Sequence, residues 1–521
     1  MSAHLNVVAT AVFVVIFGFV TIMGFVAARW RKGDLTQLHE WGLGGRRFGT
    51  VVSWFLLGGD LYTAYTFIAL PALLFGTGGA GFFAVPYSIV VWPILYTVLP
   101  RLWSVAHKHG YVTAADFVRG RYGNHALALV VAVTGIVATM PYIALQLVGI
   151  EVVIAGLGLH FDVALFGFHV ELPLLIAFAI LAAYTYTSGL RAPAMIAVVK
   201  DFLIYATVIA VIIVIPAELG GYGKIFAAVP PQKLLLAAPL PGNLGAQAAY
   251  GTLALGSALA LFLYPHSVTG LLSSSSRQVI KRNAMAMPAY AFLLGLIALM
   301  GYMALAAGVK EMPEYAAQFK DPALGNNFVV PALLLHMFPS WFVGVAFAAI
   351  GVGALVPAAI MSIASANLFT RNIYKEYINP NCSPARESQI AKIVSLIVKL
   401  GGLIFIVGFP QTYAIQLQLL GGILIIQTLP SVLIGLYTRM LNPWALLIGW
   451  AVGTGAGAAM AASLNFKVSV YPITLFGVTI PCYAAISSLL LNLAVSFVLS
   501  WVFNAVLRPA PADMTAEADY V

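Results

Sequence analysis

Apolar residues occur along this chain in long uninterrupted runs, and polar residues gather in the stretches between them. The runs fall at about 5–28, 49–76, 80–103, 125–157, 172–190, 194–217, 247–272, 284–308, 338–370, 388–409, 411–437, 442–464 and 481–506. A helix crossing the hydrocarbon core of a membrane takes about 20 apolar residues. A barrel strand takes only about 10 and alternates in polarity. The runs therefore predict helices throughout, and an all-α polytopic membrane protein with about 13 transmembrane helices.

The polar gaps carry a second pattern. Numbered alternately, one set of gaps holds 20 of the 26 lysines and arginines and the other set holds 5, with Lys399 alone inside a run. Lys200 is counted here with the richer set. Basic loops stay in the cytoplasm. The pattern predicts a multi-pass protein of the cell (inner) membrane with its N-terminus outside and its C-terminus in the cytoplasm.

Composition narrows the function classes. The 521 residues are 61% hydrophobic and only 8% charged, against about a quarter charged in soluble domains. The net charge of +9 lies beside the apolar runs, where anionic lipid headgroups are the expected partners, so nucleic acid is not expected as a partner. The first run is too long for a signal-peptide core and has no basic residue before it, so it is read as a retained helix. Two cysteines, Cys382 and Cys482, fall on opposite predicted faces and make neither a disulfide nor a metal site. No soluble domain, nucleotide motif or catalytic constellation stands out. An enzyme is a poor fit, and neither a nucleotide nor a cofactor is expected.

Polar groups inside a span are costly and by default functional. Among the 17 acidic residues, Asp60 and Glu151 are read as standing well inside runs. Asp60 follows Gly58-Gly59 and precedes Leu61-Tyr62-Thr63 in the second run. Adjacent glycines weaken a helix there and expose carbonyls, and carbonyls plus a carboxylate are hard oxygen ligands suited to a small cation. A Gly-Gly packing contact with a paired Asp is the plainer reading. The seventh run carries Leu263-Tyr264-Pro265-His266-Ser267, where proline removes a backbone donor and breaks or kinks the helix. The two breaks lie five helices apart. Interrupted helices at matching places in two halves point to an inverted-repeat transporter whose site lies between them. In the ninth run Ser362 and Ser365 share a face among small residues, which fits ion binding and close packing equally. Tyr142 and Gln146 share a face in the fourth run, and Gln416 and Gln418 lie in the eleventh; these fit a small polar solute or helix bridging. Glu151 fits a gate, a proton site or a residue reaching the interface.

These residues resemble the sodium:solute symporter family. Gly58-Gly59-Asp60-Leu61-Tyr62 is similar to that family's unwound first core helix. Tyr111-Val112-Thr113-Ala114-Ala115-Asp116-Phe117-Val118-Arg119-Gly120-Arg121-Tyr122-Gly123 is similar to its loop signature, and Thr187-Ser188-Gly189-Leu190-Arg191 with Lys200-Asp201 to its fifth-to-sixth helix junction. The stretch Leu355-Val356-Pro357 through Asn367-Leu368-Phe369-Thr370-Arg371-Asn372-Ile373-Tyr374-Lys375 resembles the monocarboxylate permease branch, which moves lactate, pyruvate and related short acids. The resemblance implies a cation site at Gly58, Asp60, Leu61, Ser362 and Ser365. Many sodium-coupled members carry two adjacent hydroxyl residues in the ninth helix, whereas here Ser362 is followed by Ile363. Coupling to Na+ and coupling to H+ through Asp60 both stay open.

The expected protein is a cation-coupled symporter importing a small monocarboxylate, with a LeuT-like five-plus-five inverted-repeat core. Its predicted parts are a peripheral helix and loop (1–48), a first repeat (49–217), an external loop (218–246), a second repeat (247–437), two peripheral helices (438–508) and a disordered cytoplasmic tail (509–521). Tyr62, Thr63, Tyr65, Gln146, Tyr264 and His266 are the expected contacts to the organic anion. The alternatives are a sodium symporter for an amino acid or a pantothenate-like solute, or a membrane sensor or channel.

Overall fold

The computed structural model describes the chain except residues 1–4, 31–32, 60, 160, 166–167, 409–412 and 507–512. The apolar runs are helical, as hydrophobic continuity demands in a medium where every backbone group must be satisfied internally. Ten described helices are long and apolar enough to span a membrane, or eleven when the bent pair Gly245–Leu261 and Pro265–Leu272 counts as one span. The expected thirteen is not reached by that measure. The difference lies in the fifth run, whose helix Leu172–Ser188 has 17 residues, and at the second and third runs, which join as Tyr65–Thr97. Gly78, at φ +75°, turns the chain inside that stretch.

The helix Ser340–Phe369 is the hub. Nearly every residue of it is buried, and it touches His125–Leu157, Val7–Val26, Arg191–Glu218 and Pro384–Gly408. Small residues let backbones approach: a Cβ added to Gly344 would lie 2.6 Å from the Ala9 carbonyl, and one added to Gly149 would lie 2.4 Å from the Ala64 methyl. Outer helices expose large apolar side chains instead, among them Val15, Phe202, Phe292, Ile404 and Trp501. Such a belt fits hydrocarbon and would be a liability in water.

Two antiparallel hairpins depart from an all-helical expectation: Asp162–Leu165 with Phe168–Glu171, and Val470–Leu475 with Val478–Tyr483. The second links Pro443–Ser463 to Ala484–Val506, which pack against each other.

The basic residues meet on one face through ion pairs. Arg191 pairs with Glu40, Arg371 and Lys375 share Glu387 at 2.8 and 2.9 Å, and Arg119 pairs with Glu376. The end of the chain, expected to be disordered, is held on this same face from residue 513 onward. Arg121 pairs with Asp513 at 2.7 Å, Lys108 with Asp519 at 3.2 Å, and the guanidinium carbons of Arg101 and Arg121 stand 5.3 and 5.6 Å from the Tyr520 ring. Small acidic composition reads as a free tail, but Asp513, Asp519 and Tyr520 meet a complementary basic surface. The Ala516 amide and His109, together with Lys108, hold the Asp519 carboxyl down to about 2.

Candidate functional site

Both expected interruptions are present. The helix Thr50–Gly58 stops at its glycines, and regular helix resumes only at Ala64, with π geometry over Tyr65–Ala69. The glycines are required for space. A Cβ on Gly58 would fall 2.3 Å from the Tyr290 ring, and one on Gly59 would fall 2.2 Å from the Phe55 carbonyl and 2.7 Å from the Lys200 ammonium. The resumed helix is capped from two sides. The Thr63 hydroxyl accepts from the Tyr65 amide at 3.0 Å, and the Gln146 side-chain carbonyl accepts from the Ala64 amide at 3.2 Å.

Lys200 fills the open side of this first break. Its ammonium donates to the carbonyls of Gly59 at 2.7 Å and Tyr62 at 3.1 Å, and lies 3.1 Å from the Asp201 carboxylate. Asp201 accepts in turn from the Tyr290 hydroxyl at 2.6 Å. Lys200 and Asp201 are fully buried in the helix Arg191–Glu218. The assignment of Lys200 to a loop is thereby corrected, and Asp201 joins the acidic residues inside spans. Nine residues of helix place Lys200 about 14 Å in from Arg191, near the middle of a core about 30 Å thick. Rings of Tyr62, Trp54 and Tyr205 pack around Tyr290, with Tyr62 and Tyr290 centroids 4.5 Å apart.

The second break is of another kind. Gly245–Leu261 ends, three residues intervene, and Pro265 opens the half-helix Pro265–Leu272 at an angle of 48°. Proline suits a first helical position, where its missing N–H costs nothing. The N-cap residue, Tyr264, gives no side-chain cap; its hydroxyl donates instead to the Gln418 carbonyl at 2.9 Å. Tyr142, Tyr264 and His266 form a mutual ring cluster with centroids 5.3 to 5.4 Å apart. The helix His125–Leu157 thus serves both breaks, with Tyr142 at the second and Gln146, one turn on, at the first.

The model of one protein family, the sodium:solute symporter family, matches residues 41–453. The chain belongs to the sodium:solute symporter family. It is 51% identical over 521 residues, 99% of this chain and 100% of the relative, to a monocarboxylate transport permease protein of Rhizobium johnstonii. It is 33% identical over 456 residues, 86% of each chain, to the uncharacterized symporter YodF of Bacillus subtilis. Its fold is that of a Na+-coupled sialic acid symporter solved in a substrate-bound outward-open state, with a TM-score of 0.71 at 14% identity over 95% of this chain and 98% of that one.

In this symporter the expected contact residues divide between the breaks. Tyr62, Thr63, Tyr65 and Gln146 belong to the first and Tyr264 and His266 to the second; all six are buried. Asp60 lies outside the described residues. The Gly58 carbonyl accepts from the Leu61 amide at 2.9 Å and the Leu61 carbonyl accepts from the Thr66 hydroxyl. The carbonyls that meet a cation are those of Gly59 and Tyr62, one residue further on. Ser362 donates to the Ala359 carbonyl at 2.8 Å, and the buried Ser365 hydroxyl has no hydrogen-bond partner among the described residues. Sequence reasoning missed Lys200, Asp201 and Tyr290 as a group. The signal was a Lys-Asp pair standing inside an apolar run.

A cavity of about 20 Å³ beside the second break is lined by Thr113, Pro265, Thr269, Ala364 and Thr428, among others. That is room for about one water. A separate cavity of about 500 Å³ among the charged residues is lined by Asp116, Arg119, Arg371, Lys375 and Glu376, among others.

Proposed function

We propose that the protein imports a small monocarboxylate of the lactate and pyruvate type, driven by the downhill entry of Na+ or H+. The observation that carries this reading is the 51% identity, over essentially the whole chain, to a monocarboxylate transport permease. The geometry is compatible. The N-cap residue Tyr264 of the half-helix Pro265–Leu272 contributes no side-chain cap, and a helix N-terminus favours an anion through its amides and dipole. The surrounding rings of Tyr142, Tyr264 and His266 suit a short, partly apolar acid, with few polar groups to fix its orientation. In the same reading, Tyr62, Thr63, Tyr65 and Gln146 close the pocket from the first break.

The basic face is cytoplasmic in this reading, as the positive-inside bias requires, with the N-terminus outside and the protein in the cell membrane. The first and second five-helix repeats, 49–217 and 247–437, form the moving core around the breaks. Cation binding stabilises the outward-facing arrangement and so links cation entry to substrate entry.

Uptake of labelled lactate or pyruvate into proteoliposomes tests the reading. Accumulation above equilibrium under an inward cation gradient is expected, and failure under both a sodium and a proton gradient contradicts it. Asp60→Asn is expected to abolish gradient-driven uptake with the protein still folded; unchanged uptake would remove Asp60 from the cation pathway.

A further inference from the structure

We propose that Lys200 is a built-in cation that takes the place of Na+ at the first break, so that transport by this chain does not need sodium. The inference deepens the symport reading and rests on it for the identity of the cargo.

A lysine ammonium has three donors and no acceptor. This one donates to two acceptors, the Gly59 and Tyr62 carbonyls, and has the Asp201 carboxylate 3.1 Å away as its counter-charge. Two carbonyls from an unwound segment and a carboxylate are the ligands a small hard cation would use. The site is shaped around its occupant, since even a methyl group at Gly59 would press on the ammonium at 2.7 Å. Snorkelling to an interface does not describe this lysine, which is 0% exposed.

The helix Ser340–Phe369 lacks one hydroxyl that the family resemblance would call for. On Ser340–Phe369, Ser362 donates to its own helix, and the neighbouring position that would offer a second hydroxyl is the buried Ile363. Sodium therefore lacks one of the two hydroxyl ligands at 362–363 and meets a tethered charge at the carbonyls of the first break. The proton is then left as the coupling cation.

The experiment has two arms, both on purified full-length protein. In the first, thermal unfolding in detergent is compared in sodium chloride and in choline chloride at equal ionic strength. The wild-type midpoint is expected to be the same in both salts. Lys200→Ala, which leaves two carbonyls and a carboxylate without their cation, is expected to gain at least about 3 °C in sodium. In the second arm, lactate uptake driven by a proton gradient into proteoliposomes is expected to change less than about twofold when sodium is replaced by choline. A sodium-specific rise in the wild-type midpoint overturns the proposal. So does uptake that falls more than about tenfold without sodium, or a folded Lys200→Ala without a sodium response. If Lys200→Ala does not fold, the wild-type comparison decides alone. Absence of lactate uptake under every gradient would contradict the monocarboxylate reading, while the thermal arm would still decide the role of Lys200.

Discussion

The two interrupted spans achieve the same thing by opposite chemistry. At the first break, glycines make room and other parts of the chain move in. Lysine takes the carbonyls and threonine and glutamine take the amides. At the second, proline stops the helix, and the N-cap residue Tyr264 turns its hydroxyl to the Gln418 carbonyl within a cluster of rings. A helix end must have its orphan groups met by side chains, water or ligand. The first break meets that need with a lysine, a threonine and a glutamine, and at the second a cluster of rings surrounds the new N-terminus. The first break is the charged one, and the second is the substrate end of the proposed function.

The largest effect expected from this contrast is at Lys200. Removing one partner of a buried ion pair costs about 3–5 kcal/mol, so Lys200→Ala should lower the unfolding midpoint in choline more than any single change at the second break. A variant as stable as wild type would show that the first break is not an ionic anchor. Gly59→Ala comes next. Its methyl would meet the Phe55 carbonyl at 2.2 Å, an atom that cannot step aside, and overpacking of this kind costs about 1–3 kcal/mol. Unfolding of that variant measured beside Gly18→Ala, where nothing lies within 4 Å, separates space from helix propensity. Equal effects at the two glycines would contradict the tight packing around Gly59.

At the second break the effect should fall on the substrate and not on the fold. His266→Gln is expected to raise the KM for monocarboxylate about tenfold, which corresponds to about 1.4 kcal/mol, with a near-unchanged unfolding midpoint. An unaltered KM would place the substrate elsewhere. The smallest effect is expected far from both breaks, at Asp519. Its folded carboxyl titrates near 2, below the ordinary 3.8. Its contribution is present above the ordinary value and is lost as pH falls toward 2. Proteolysis of the tail should rise over that window in wild type and already be high at neutral pH in Asp519→Asn. A tail protected to the same degree in both would remove the carboxylate from its anchoring.

The contrast between the breaks was only half legible in the sequence. Gly58-Gly59 and Pro265 mark both interruptions, because glycine and proline act through local backbone physics that sequence carries directly. The reason for the glycines was not legible: they admit Tyr290 and Lys200, which arrive from other helices. Lys200 and Asp201 were misplaced for a related reason. A charged pair in a loop and a buried ion pair in a span look alike along the chain, and only packing tells which carbonyls a lysine will reach. The ordered end of the chain escaped notice because its partners Lys108, Arg121 and Arg101 lie some 400 residues away. The serines at 362 and 365 were seen, but not that Ser362 bonds back to its own helix.

The most direct test of the self-contained first break is the flux of radioactive sodium into proteoliposomes during monocarboxylate uptake. The account predicts that no sodium enters above the substrate-free background. Entry of sodium in fixed ratio to the monocarboxylate would contradict it.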